Sequence, residues 1–318
     1  YRDHSGKTER NSTDDTRTEL VRLQQQGVSG LILDLRNNGG GSLTDAVSVS
    51  GLFIDDGPVV QVRDGSGTIR SLRDDDKDVA YDGPLIVLVN RFSASASEIL
   101  AGALQDYGRS LIVGDEHTHG KGTVQAVLDL DRFIRLRGMS QYMPLGAAKV
   151  TIQKFYRITG DSTQERGIIP DIILPSRLDG LESGEKYMDN ALNWDRIAPA
   201  NYTPWKNLVD NLETLQQRSR ERINHSEEFL NIRQAAQRAA KRRELTTQSL
   251  LLDDMLKEHR QLQEEEKNLS TPHAMPSADV DNGNKSREEV LIESLKKDPY
   301  VQEGKKILAD LLTLSAAV

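Results

Sequence analysis

Residues 84–98, Pro84-Leu85-Ile86-Val87-Leu88-Val89-Asn90-Arg91-Phe92-Ser93-Ala94-Ser95-Ala96-Ser97-Glu98, pass from an apolar strand into a turn of small side chains and then a helix. Small residues at a strand-to-helix turn leave a serine hydroxyl and backbone N–H groups accessible, and the helix N-terminus favours negative charge beside it. One helix and one strand later comes His119-Gly120-Lys121-Gly122-Thr123. A lysine flanked by glycines can approach such a turn closely, because glycine adds no bulk. A serine needs a base to become a nucleophile, and a desolvated lysine can be that base. The pairing points to an enzyme.

Working outward, strands and helices alternate from about residue 12 to 175. Ser12 or Thr13 is expected to cap a helix with Asp14 and Asp15 in its first turn and Gly27 as its stop. Gly30-Leu31-Ile32-Leu33-Asp34-Leu35 reads as a buried strand ending at Asn37-Asn38-Gly39-Gly40-Gly41, with a helix from Ser42. A hairpin follows, its turn marked by Asp64-Gly65 and Ser66-Gly67. Leu111-Ile112-Val113-Gly114 is a further strand, and Val150 to Ile158 with Gly167 to Leu174 supply return strands. Tyr1-Arg2-Asp3 reads as the end of a strand running into a Ser5-Gly6 turn. Repeated strand–helix units predict a parallel or mixed sheet covered by helices.

Beyond about residue 180 the composition changes. Stretches rich in Gln, Glu, Arg and Leu run with helical spacing from about 206 to 268, and a polar linker occupies about 269–286. A last helical segment from Arg287 is interrupted by Pro299 and carries Ile307, Leu308, Leu311 and Leu312 on one face. The expected organisation is a core over 1–180 and a mainly α-helical domain over 181–318. The chain has 318 residues, 36% hydrophobic and 28% charged, enough for two domains. A net charge of −8 argues against nucleic acid, whose partners present basic surfaces. There is no cysteine, which excludes disulfides and thiolate zinc sites. No apolar run approaches the roughly 18 residues of a membrane span. The chain opens on Tyr1 and is read as a fragment, so a missing targeting segment says nothing about localisation.

Other motifs carry less. The glycines at 39–41 lack the G-x-G-x-x-G spacing of a dinucleotide loop; they suit a tight strand-to-helix turn whose N–H groups face a neighbouring strand end as oxyanion donors. Gly114 to Gly122 misses a phosphate loop twice: five residues separate Gly114 from Gly120 where four are required, and Gly122 replaces the Ser or Thr. His117-Thr118-His119 reads as a solvated acidic loop, with too few further ligands for a metal; a Ser–His–Asp arrangement is the competing reading. Lys241-Arg242-Arg243 reads as a solvated helix face.

Leu33 to Leu43, Phe92 to Glu98, Leu104-Gln105-Asp106-Tyr107-Gly108-Arg109 and Gly120 to Gln125 together resemble the C-terminal processing peptidases. Within that family they are similar to the tail-specific proteases of Gram-negative bacteria. Thr151 to Tyr156 and Gly167 to Asp171 resemble the family's later strands, so the motifs cover about residues 28 to 175. The resemblance implies a ClpP- and crotonase-like α/β spiral of ββα units, Ser95 as nucleophile, Lys121 as general base and Gln125 orienting the lysine. It implies oxyanion donors at Ala96 and in the glycine turn, Gly40 or Gly41. Asp106 matches an acidic position that serves either the chemistry or the fold. The loop 115–119 is one residue longer than the family's usual turn. The family's PDZ domain and N-terminal helical region are missing from this stretch. The implied function is a serine endopeptidase needing no cofactor, acting through an acyl-enzyme on unfolded or C-terminally marked envelope proteins in the periplasm, peptidoglycan enzymes among its clients. A lipoprotein adaptor and peripheral inner-membrane association are the implied partners. The rivals are a non-catalytic peptide-binding or docking module on the same fold and crotonase-like acyl-CoA chemistry, which needs no serine–lysine pair.

Overall fold

The chain begins with a short antiparallel pair, β1 (Arg2–Asp3) and β2 (Arg10–Asn11), that leads directly into helix α1 (Ser12–Gln25). The computed structural model describes residues 2–3, 10–133, 143–205, 211–247, 249–268 and 286–315. The cap of α1 is Asn11, ahead of the expected Ser12 or Thr13: its Oδ1 accepts the Asp14 N–H at 2.9 Å. A short amide oxygen satisfies an orphan helix donor as well as a hydroxyl does. Then follow β3 (Leu31–Asp34), α2 (Leu43–Gly51), the hairpin β4 (Gly57–Asp64) and β5 (Ile69–Asp74), β6 (Leu85–Val89), α3 (Ala96–Asp106) and β7 (Leu111–Gly114). Next come β8 (Thr123–Asp129), α4 (Leu130–Phe133), β9 (Ala147–Tyr156) and β10 (Ile172–Ile173). Helices close the chain: α5 (Leu212–His225), α6 (Glu227–Glu244), α7 (Leu252–Asn268), α8 (Arg287–Lys297) and α9 (Pro299–Ser315). The expected Ser5-Gly6 turn and nearly all of the polar linker lie outside the described residues.

Two four-stranded sheets result. One is parallel in the order β10-β7-β6-β3; the other is antiparallel in the order β5-β4-β9-β8. The expected return strand over 167–174 shortens to Ile172–Ile173. Its first half is occupied elsewhere: Ile168 donates to Thr118 Oγ1 and accepts from Thr118 N–H. Pro170 has no N–H to offer a ladder.

The parallel sheet is buried on both faces, which is why β6 is apolar without alternation. Leu85, Val87 and Val89 face one core with Leu52, Ile99 and Leu104 from α2, α3 and their surroundings. Ile86 and Leu88 face a second core formed with Leu215, Ile223, Phe229, Ile232 and Ile307 from α5, α6 and α9. The late helices thus cover the open face of the sheet. Asp298 caps α9 by accepting the N–H groups of Tyr300 and Val301, and Pro299 takes the first helical position, where its missing N–H is not needed. The same carboxylate, 1% exposed, pairs with Arg36 at 2.9 Å, which ties α9 to the turn after β3. No helix among the described residues is long and apolar enough to cross a membrane.

Candidate active site

The parallel order puts the loops after β3, β6 and β7 side by side at one edge of the sheet, the C-terminal strand ends where open α/β sheets hold ligands. These loops are the glycine turn, the serine turn and the lysine loop. Reciprocal hydrogen bonds join the first two: Asn37 N–H to Asn90 Oδ1 at 2.9 Å, and Asn90 Nδ2 to Asn37 Oδ1 at 2.8 Å. The Ala94 N–H reaches Asn38 O at 3.0 Å.

Burial separates the three serines. Ser93 and Ser97 are buried and donate to carbonyls of Leu35 and Asn38, at 2.8 and 3.0 Å. Ser95 is half-buried and sits at φ 58°, ψ −115°, a backbone conformation rare outside glycine. Such a sharp strand-to-helix elbow holds a serine hydroxyl out at the top of a sheet. Gly40, at φ 89°, packs against it; a Cβ there would lie 2.7 Å from Ala96 N and 2.9 Å from Ser95 Cβ. Only glycine permits that approach. The Gly40 N–H donates to Asn38 Oδ1 at 3.0 Å, and the Ala96 N–H opens helix α3 beside it, where the helix dipole favours negative charge.

Glu98 joins the serine turn to the lysine loop. Its side chain is fully buried, and its Oε2 accepts the backbone N–H of Ser95 at 2.7 Å and that of Lys121 at 3.0 Å. One oxygen atom therefore fixes the separation of the two backbone positions. Oε1 accepts the Thr118 hydroxyl at 2.5 Å and the Gly120 N–H at 2.7 Å. Burial pushes the Glu98 carboxyl up to about 7, and the donors from Thr118, Gly120, Ser95 and Lys121 oppose that rise. Lys121 is half-buried, and its Nζ donates at 3.2 Å to Oε1 of Gln125, the third residue of β8.

Asp106 is at the other end of α3, about 16 Å from Ser95 by helical rise. It is buried in an ion pair with Arg157, whose Nε lies 3.1 Å from both carboxylate oxygens. Burial raises its carboxyl and Arg157 lowers it. The structure thus leaves Asp106 out of the cluster of Ser95, Lys121, Gln125 and Gly40 and gives it a place in the fold. The loop 115–119 corrects the solvated reading: Asp115 and Thr118 are buried and both histidines are partly so. Arg91, 2% exposed, donates its N–H to Asp115, and Thr118 is held by Glu98. His117 Nδ1 meets Thr118 O at 2.7 Å, and neither imidazole is hydrogen-bonded to Ser95. Glu98 is the residue the sequence reasoning missed, although Ser95-Ala96-Ser97-Glu98 has capping-box spacing. Among the described residues, no group of three or more His, Cys, Asp or Glu could hold a metal ion.

The model of peptidase family S41 matches residues 5–174, and that of the C-terminal domain of tail specific protease matches 178–313. The tail-specific protease of Haemophilus influenzae is 41% identical over 302 residues, 94% of this chain and 39% of that protein. The chloroplastic C-terminal processing peptidase of Tetradesmus obliquus is 37% identical over 176 residues, 54% of this chain and 35% of that one. This chain thus spans well under half the length of these relatives. A solved photosystem II D1 C-terminal processing protease is 38% identical and covers 52% of this chain and 40% of its own, at a TM-score of 0.44.

Proposed function

The chain belongs to peptidase family S41, and from that premise we propose that it is the catalytic part of a serine endopeptidase working through Ser95 and Lys121. The observation that carries this reading is the single Glu98 oxygen shared by the backbone N–H groups of Ser95 and Lys121. The backbones of nucleophile and base are thereby held to one oxygen before substrate arrives, which supports a reading in which Lys121 serves Ser95 as general base. Lys121, in its neutral form, takes the proton of Ser95 Oγ as that oxygen attacks a peptide carbonyl. The resulting oxyanion is stabilised by the Ala96 N–H and, from the glycine turn, the Gly41 N–H, the Gly40 N–H being held by Asn38 Oδ1. On collapse the lysine ammonium returns the proton to the leaving amine. Water, activated by the same lysine, then releases the acyl group. Gln125 orients Nζ for both transfers.

Substrates are unfolded or C-terminally marked proteins, a reading supported by the names of the relatives and by the match to the tail specific protease domain. The compartment is the periplasm, with envelope proteins and peptidoglycan enzymes as clients and a lipoprotein adaptor as partner at the inner membrane. The test is hydrolysis of a permanently unfolded protein by the parent, Ser95→Ala and Lys121→Ala. Both variants are expected to lose hydrolysis while keeping the parent's circular dichroism. Hydrolysis by Ser95→Ala would overturn the assignment.

A further inference from the structure

Residues 179–187, which open the helical region, pass over the outside of the lysine loop as a strap. The loop needs such support, because Lys121 lies between Gly120 and Gly122 and glycine leaves the backbone free to turn. Glu98 holds the loop from within. From outside, the Glu185 N–H donates to His119 O at 2.9 Å, while the His119 N–H donates to Ser93 O at 3.0 Å. This ties the strap through His119 to the serine turn. Gly184, at φ 108°, makes the approach possible: a Cβ there would lie 2.6 Å from His119 O. The Glu185 side chain reaches the other flank of the lysine. Its Oε1 accepts Gln164 Nε2 at 3.3 Å, and Gln164, 0% exposed, accepts the Gly122 N–H on its own Oε1 at 2.9 Å.

We propose that Glu185 is a positioning residue for Lys121, and that the strap carrying it is the means by which the helical region completes the active site. One residue holds both sides of the lysine, His119 through its backbone and Gly122 through the buried Gln164 amide. The strap is anchored at its near end as well. Leu181 O accepts Arg91 Nη1 at 2.9 Å, and Gly180 O accepts Arg243 Nη1, from the last turn of α6, at 2.9 Å. Arg243 thus anchors the strap from an exposed helix face. The proposal rests on Lys121 being the base of the reaction.

The experiment measures kcat and KM on an unfolded protein for Glu185→Ala, Glu185→Gln and Arg243→Ala in the full chain, with urea stability alongside. Glu185→Ala is expected to lower kcat about tenfold or more at a KM within about twofold, as small misplacements of reacting groups do. Glu185→Gln keeps an acceptor for Gln164 and is expected to retain about half the activity or more. Arg243→Ala, remote from the chemistry, lowers kcat in the same sense by a smaller factor. Parental kcat in Glu185→Ala would overturn the proposal. So would equal losses in the alanine and glutamine variants that merely track lost stability. Activity in a parallel Lys121→Ala variant would instead overturn the base assignment, which keeps the two failures distinct.

Discussion

Ser95 carries a backbone cost that Ser93 and Ser97 do not. A non-glycine residue at positive φ is destabilised by about 1–3 kcal/mol, and the capture of its N–H by buried Glu98 offsets that strain. Glu98 in turn has a pH dependence whose sign follows from its environment. Its ordinary value of 4.5 rises to about 7 on folding, so between those values the folded chain holds a proton that the unfolded chain has released. Stability contributed by this group therefore falls as pH rises through that window, by about 3 kcal/mol in all. Glu98→Gln removes the titration, so the difference in urea stability between parent and variant should change between pH 5 and pH 8 in the variant's favour. A constant difference would sink this account. The variant should nevertheless lose activity, because an amide turns an N–H donor toward N–H groups that now meet an acceptor. At Lys121, replacement by arginine should be as damaging as replacement by alanine, since a guanidinium cannot give up its proton to become a base. Substantial kcat in Lys121→Arg would mean that the residue supplies only charge.

The elements act through their ends. The glycine turn after β3 presses on the start of α3, and Gly40→Ala introduces both a strained φ and a Cβ 2.5 Å from Ala94 O. The turn must then move away from Ala96, and kcat should fall about 10²–10³-fold, the usual cost of a lost oxyanion donor. An unchanged kcat would remove the turn from the chemistry. The lysine loop is held by backbone groups, Thr118 and Glu98, with no hydrogen bond from either imidazole to Ser95. Replacing His117 and His119 together by alanine should consequently leave at least about a tenth of the activity, whereas loss of a general base costs about 10²–10⁴-fold. A loss of that larger size in a folded variant would restore the histidine reading. Thr118→Ala should hurt more than either histidine change, because it leaves a Glu98 oxygen and the Ile168 N–H short of a partner.

Across the whole molecule, the two cores lie back to back on one parallel sheet. Ile307 is fully buried in the second core against the face presented by Ile86 and Leu88. Ile307→Ala should cost about 2–5 kcal/mol, as large-to-small changes in a packed core do. That loss should be shared. Trp194 and Trp205 report on the part before the late helices, and far-ultraviolet circular dichroism reports chiefly on the helices. Coincident transitions by the two probes, both lowered in Ile307→Ala, are expected of one cooperative unit. Separate transitions would mean that the late helices fold apart from the sheet they cover.

Local patterns determined much of this molecule. Apolar runs marked the strands, capping residues and Asn-Asn-Gly-Gly-Gly marked the turns, and the glycines around Lys121 marked a close approach. These signals are legible because each depends on neighbours a few residues away. Tertiary structure decided the rest. Sheet order brings together loops that follow β3, β6 and β7, and only then does Glu98 meet both Ser95 and Lys121. A capping-box spacing reveals the bond to Ser95, but nothing local indicates that Thr118, Gly120 and Lys121 would converge on the same carboxylate. The ion pair of Asp106 with Arg157, the capture of buried Thr118 by Glu98 and the strap over Lys121 likewise join residues from 20 to more than 60 positions apart. Such contacts follow from how the layers stack, because packing selects partners by position in space, whereas periodicity and capping select them by position along the chain.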